Sequence, residues 1–134
     1  MKFCTEHGEV IVAPDVFSTL AGHAATRCFG VKGMAARSVG DGIVGLLRRE
    51  HIARGVKVTF QPEKGMIGVA LHIVVDHGVN IPVITRSIMS EVRYVLEKCT
   101  GVKVGKMSVF VDAIMAEPQK TQAPKKGGAK TLDK

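Results

Sequence analysis

The tripeptide Gly-Val-Lys occurs three times along the chain, as Gly30-Val31-Lys32, Gly55-Val56-Lys57 and Gly101-Val102-Lys103. In each place a helix-like pattern stops and a strand-like one begins. Glycine adopts the left-handed conformation that closes a helix, and the β-branched valine then favours extended chain. Two copies are longer, Cys28-Phe29-Gly30-Val31-Lys32 and Cys99-Thr100-Gly101-Val102-Lys103. A chain punctuated in this way alternates helix and strand, and the matched helix ends point to two similar strand–helix–strand halves.

Periodicity places the elements between these stops. Glu9 to Ala13 reads as a first strand, which Pro14 ends, and Asp15 is placed to cap a helix over about 15–28. Val16, Leu20, Ala24 and Cys28 recur at four-residue steps along it, widened by Phe17, Ala21 and Ala25. A second strand is expected over about 31–37, and a short helix over about 42–50. Val56, Val58 and Phe60 alternate with Lys57 and Thr59 as a half-buried strand, and Gln61-Pro62-Glu63-Lys64-Gly65 reads as a hairpin turn. In the strand that follows, Ile67, Val69, Leu71, Ile73 and Val75 form one face, while Gly68, Ala70, His72 and Val74 make the other nearly as apolar, so this strand is central. Asn80 caps a helix to about residue 100 with Pro82 in its first turn, and its buried stripe is Ile81, Ile84, Ile88, Val92, Val95 and Cys99. A last strand over about 102–114 carries a bulge or kink at Gly105, and the intervening helix makes it parallel to the central strand. The expected fold class is α+β: a two-layer domain with a mixed β-sheet and two main helices, in the order β-α-β-(short α)-β-β-α-β.

At 134 residues the chain is one domain, long enough to bury roughly two thirds of its unfolded surface. Aromatic residues are 4% and tryptophan is absent, so the core is aliphatic, and nineteen valines accord with the strand-rich reading. The expected limits are a lead-in at 1–7, the domain at 8–115 and a disordered basic tail at 116–134, whose Lys, Gln, Gly, Pro and Thr cannot bury enough surface to order it. Residues 117–134 hold five lysines against Glu117 and Asp133, contributing +3 of the net +7 and leaving a mildly basic domain of +4. No secretory signal is visible, and the longest apolar run, Met66 to Val75, is half the ~20 residues a spanning helix needs. Three scattered cysteines without a CxxC pair indicate a reducing, cytoplasmic setting.

Sites of chemistry are sparse. His72, Asp76 and His77 are close in sequence, but His72 and Asp76 share a strand face from which His77 points away, and zinc needs three or four converging ligands. Cys28 and Cys99 are expected at helix C-terminal ends, where the dipole disfavours a thiolate, and read as small core residues. Gly30, Gly33, Gly40 and Gly42 form neither a Walker loop nor GxGxxG. With no pair of groups suited to acid–base or nucleophilic work, the expectation is a protein that is not an enzyme and holds no cofactor or metal. One binding motif stands out. Gly30-Val31-Lys32-Gly33 matches the bare GxxG clamp of KH domains, and Arg37, Arg48, Arg49, Arg54 and Lys57 could add a basic patch, so RNA or DNA binding is an alternative function. Against it, KH domains place GxxG between two helices, whereas Val31 to Arg37 reads as a strand.

Several segments, in order, resemble the alkaline-shock-protein family of envelope stress response proteins from Gram-positive bacteria. They are Gly8-Glu9-Val10-Ile11-Val12, Leu20-Ala21 with Ala24-Ala25, Gly30-Val31-Lys32-Gly33-Met34, Gly55-Val56-Lys57-Val58, Ile73 to Pro82, Thr100 to Val104 and Ser108 to Val111. The resemblance spans about 8–114. It implies a small cytoplasmic protein of a family with no established enzymatic activity. Some members gather at the inner face of the membrane through a separate, membrane-anchored partner, while others are encoded near fatty-acid kinase components. The resemblance thus implies, as the expected function, a non-catalytic role in envelope homeostasis through protein contacts or self-association. It supplies no catalytic residues. The basic tail would add a weak attraction to anionic lipid, about 1 kcal/mol per lysine near the surface.

Overall fold

A computed structural model describes residues 1–37 and 44–115. The elements are β1 (Lys2–Thr5), β2 (Gly8–Ile11), α1 (Pro14–Thr26), β3 (Val31–Arg37), β4 (Val44–Leu46), a 3-10 segment (Arg49–Gly55), β5 (Val56–Gln61), β6 (Met66–Asp76), α2 (Ile81–Thr100) and β7 (Lys103–Met115). The α+β class with a mixed sheet and two main helices is as the sequence indicates. The expected disordered tail at 116–134 lies outside the described residues.

β6 organises the molecule. Its odd-numbered residues Ile67, Val69, Leu71, Ile73 and Val75 are buried together with Phe17, Ala21, Ala24 and Ala25 of α1 and Ile84, Ile88, Val92 and Leu96 of α2. Both helices therefore cover the same face of the sheet. β7 runs parallel to β6 along its whole length, Met66 opposite Lys103 through to Asp76 opposite Met115. The opposite edge of β6 is shared end to end: β5 pairs antiparallel with Met66–Leu71, and β3 antiparallel with Ile73–Val75. β4 then pairs with β3. The register slip between Val104 and Met107 puts the irregularity of β7 at Gly105, as its glycine suggests.

Several readings change. β2 pairs with β1, Thr5 opposite Gly8, in a separate two-stranded sheet, so α1 does not join two strands of one sheet and the chain is not built of two like halves. Residues 1–7, expected as a lead-in, supply one strand of that hairpin. At α1 the cap is Ala13, whose methyl side chain offers no acceptor; Pro14, which has no N–H to satisfy, takes the first helical position, and Asp15 lies within the first turn. The buried side is the Phe17, Ala21, Ala24 and Ala25 set, while Val16 is exposed and Cys28 falls beyond the helix.

The short helix expected over 42–50 is not formed where the chain is described: 44–46 are strand and 49–55 a 3-10 segment, while 42–43 lie outside the described residues. β3 offers Val44–Leu46 a ladder, and the 3-10 segment sets buried Ile52 against Gly22 of α1, where a Cβ would stand 3.3 Å from the Ile52 carbonyl oxygen. In α2 the buried stripe is Ile84, Ile88, Val92 and Leu96; Cys99 is exposed. Cys99 lies on the same side of the helix as Ile88 and Val92, so its exposure reflects its place in the last turn and not its direction around the axis. Asn80 caps as expected, its Oδ1 accepting from the Val83 N–H at 3.2 Å, and Gly101 closes the helix at φ 75°.

Candidate interaction surface

Because both helices lie on one side, the even-numbered side chains of β6 look the other way. Gly68 and Ala70 are small, so the middle of this outer face is shallow. Lys57, Thr59 and Gln61 of β5 and Lys106 and Ser108 of β7 border them in an open cleft of about 290 Å³. Further along, the His72 ring stacks on Phe110, centroids 4.7 Å apart and planes within 10°. His72 Nδ1 is 2.9 Å from Asp112 Oδ2, and the Asp112 side chain is 13% exposed. A second cleft of about 330 Å³ lies beside His72, bounded by Ala35, Ala36, Leu47 and Arg54. Phe110 is 47% exposed although it lies in mid-strand, which gives this end of the face an aromatic, apolar character.

A histidine–carboxylate pair is half of a catalytic arrangement; a nucleophile within reach of the ring would complete it. Ser108 stands opposite Ala70, a strand position short of His72, and no hydrogen bond joins it to the ring among the described residues. Among the described residues, no group of three or more His, Cys, Asp or Glu is placed to hold a metal ion. Asp76, grouped with His72 by strand parity, instead meets Lys32 at 3.7 Å.

The residues named from the sequence are not brought together into a clamp. Gly30 is buried at φ 87°, and a Cβ there would stand 3.2 Å from Ile84 and 3.3 Å from Val79. Its carbonyl accepts from the Asp76 N–H at 2.9 Å. Gly33 lies inside β3 opposite Val74, with Leu46 close above it. The GxxG tetrapeptide thus opens a paired strand instead of forming a loop between helices. Lys32 is exposed beside Asp76; Arg37 ends β3, Arg48 and Arg49 stand before and at the start of the 3-10 segment, and Arg54 is exposed in its last turn, at the second cleft.

Sequence reasoning missed Lys106, Ser108, Phe110 and Asp112. Their alternation along the last strand was legible, but their neighbours depend on the β6–β7 register, which no local signal encodes.

The cysteines differ in reactivity. Burial pushes the Cys28 thiol above its ordinary pKa; Glu91 adds to the rise and Arg27 opposes it. Its Sγ donates to the Ala24 carbonyl at 3.4 Å, whereas Cys4 and Cys99 are exposed. At neutral pH, iodoacetamide is expected to label Cys4 and Cys99 first and Cys28 slowly, as followed by mass spectrometry of the intact protein and its peptides. Since the folded pKa is raised, the contribution of this thiol to stability is full below the ordinary thiol pKa and is lost as pH rises through the folded value.

Comparison with known proteins gives a consistent result. The model of the alkaline shock protein 23 family, described by a cell envelope-related function, matches residues 2–116. YloU of Bacillus subtilis is 29% identical over 111 residues, covering 82% of this chain and 91% of YloU. Spy1614 of Streptococcus pyogenes serotype M6 is 35% identical over 115 residues, covering 85% of this chain and 93% of Spy1614. YqhY of Bacillus subtilis is 28% identical over 110 residues, covering 82% of this chain and 79% of YqhY. No solved structure matches the chain.

Proposed function

Because the chain belongs to the alkaline shock protein 23 family, whose function is related to the cell envelope, we propose that it is a non-catalytic interaction protein that acts at the envelope by binding a protein partner. The observation that carries this reading is the one-sided sheet. Both helices cover one face, and the other presents small side chains between Lys57 and Lys106, next to the exposed Phe110–His72 stack. Such a face offers area and a few anchors, which suits a protein surface better than it suits a small substrate.

Among the described residues no helix is long and apolar enough to cross a membrane. The proposed setting is the cytoplasm, where a membrane-anchored partner would hold the protein at the inner face of the membrane; the envelope-related function of the family supports this reading. Nucleic-acid binding is the competing outcome, drawing on Arg48, Arg54 and Lys32 without a GxxG clamp.

The test is purification of tagged full-length protein from its host, from soluble and membrane fractions, with and without nuclease, beside an Ala70→Arg variant that places a charged side chain in the open cleft. A nuclease-resistant protein with a membrane span, captured by the wild type and lost in Ala70→Arg, is the expected result. Nucleic acid that survives salt washing, with protein partners lost on nuclease treatment, would overturn it.

A further inference from the structure

The outer edge of β7 is divided in two. At its start α2 occupies the backbone: the Val104 N–H donates to the Glu97 carboxylate at 3.0 Å, and the Val104 carbonyl accepts from the Arg93 guanidinium. The same guanidinium reaches the Gly105 carbonyl at 3.3 Å. From Lys106 onward, the edge that faces away from β6 pairs with no strand among the described residues. A row of unpaired backbone donors and acceptors is a template for another strand. Arg93 and Glu97 decide where such a strand can begin.

Side chains decide which strand fits. From Lys106 to Met115 the only charged residues are Lys106 and Asp112, three positions on either side of Val109. The β6–β7 register slips between Val104 and Met107 and again between Val111 and Ala113, so the regular backbone is Met107–Val111, also centred on Val109.

We propose that this edge pairs antiparallel with the same edge of a second copy, about a two-fold axis at Val109. Lys106 and Asp112, which flank that regular stretch, are then set as opposite charges, Lys106 toward Asp112 of the second copy and Asp112 toward its Lys106. Ser108 meets Phe110 on the outer face, and Met107 meets Val111 on the helix side, so polar and apolar faces stay in register. A slip by one residue would set Lys106 against Val111 or Ala113 and Asp112 against Gly105 or Met107, and turn the two faces out of register. Parallel in-register pairing would stack Lys106 on Lys106. The result is an isologous dimer with one continuous sheet, whose outer face is twice as wide. This inference rests on the interaction role proposed above and supplies its self-association.

Sedimentation equilibrium on the full chain tests it. The wild type is expected to dimerise. Lys106→Glu and Asp112→Lys should each weaken dimerisation roughly tenfold or more, by replacing two opposite-charge pairs with two like-charge pairs. An equimolar mixture of the two variants should recover the dimer, because both cross-strand positions then carry opposite charges again. Asp112 is held by His72, so thermal melts accompany Asp112→Lys; Lys106 is exposed, and Lys106→Glu against the wild type is decisive by itself. A wild type that stays monomeric up to about 100 μM, or a dimer indifferent to Lys106→Glu, overturns the proposal. A monomer that still captures its partner through the face around Ala70 removes edge pairing alone, whereas a dimer that captures no partner removes the partner reading alone.

Discussion

Replacing Leu96 with alanine is expected to cost about 2–5 kcal/mol of unfolding free energy, while Cys99→Ala, one turn further on, stays within about 0.5 kcal/mol. Leu96 is fully buried in the core between α2 and the sheet, and its removal deletes apolar contacts and leaves a cavity. Cys99 is exposed, so its truncation loses little. Urea denaturation of both variants measures the difference, with the Leu96→Ala midpoint lower at an unchanged slope. On melting, a loss of this size corresponds to a Tm lower by roughly 8–20 °C for a domain of this length. Equal losses at the two positions would mean that the cover over α2 extends through its last turn to Cys99.

Gly30→Ala is expected to be nearly as damaging, for two reasons that add. The backbone conformation at φ 87° costs a side-chain-bearing residue roughly 1–2 kcal/mol, and the Cβ would press on Ile84 and Val79, where overpacking costs about 1–3 kcal/mol. The sum is a loss of roughly 2–5 kcal/mol. Gly101→Ala is the control: φ is 75° but the space is open, so only the backbone cost of about 1 kcal/mol remains. Thermal melts of the two variants separate these contributions. If Gly30 were instead a ligand-contacting loop glycine, Gly30→Ala would leave stability nearly unchanged and weaken binding alone.

These two positions show what local sequence conveys. The period of α2 was legible because apolar residues recur at helical spacing, and Ile84, Ile88 and Val92 are buried as that spacing requires. Its last turn was not, because whether Leu96 or Cys99 is covered depends on where the sheet ends beneath the helix. Gly30 was legible as a helix stop and as the first glycine of a bare GxxG, but the tetrapeptide does not record that the Asp76 N–H will bond to its carbonyl. The segment around 44–55 misled for a related reason. Its helix-like spacing competed with the free edge of β3 and the groove at Gly22, both tertiary features.

By itself the sequence determined the class of fold, the two helices, the central place of β6, the parallel return of the last strand and the irregularity at Gly105. Each follows from interactions within a few residues, namely periodicity, caps and glycine conformations, or from the short connection that a strand–helix–strand unit imposes. Tertiary structure alone decided that the first strand leaves the sheet for a hairpin, that His72 meets Phe110 and Asp112, and that β7 lies, among the described residues, at an edge of the sheet guarded at its start by Arg93 and Glu97. Those outcomes rest on register and on which faces the helices cover, and the energy of such long-range pairing lies between segments that carry no local mark of one another.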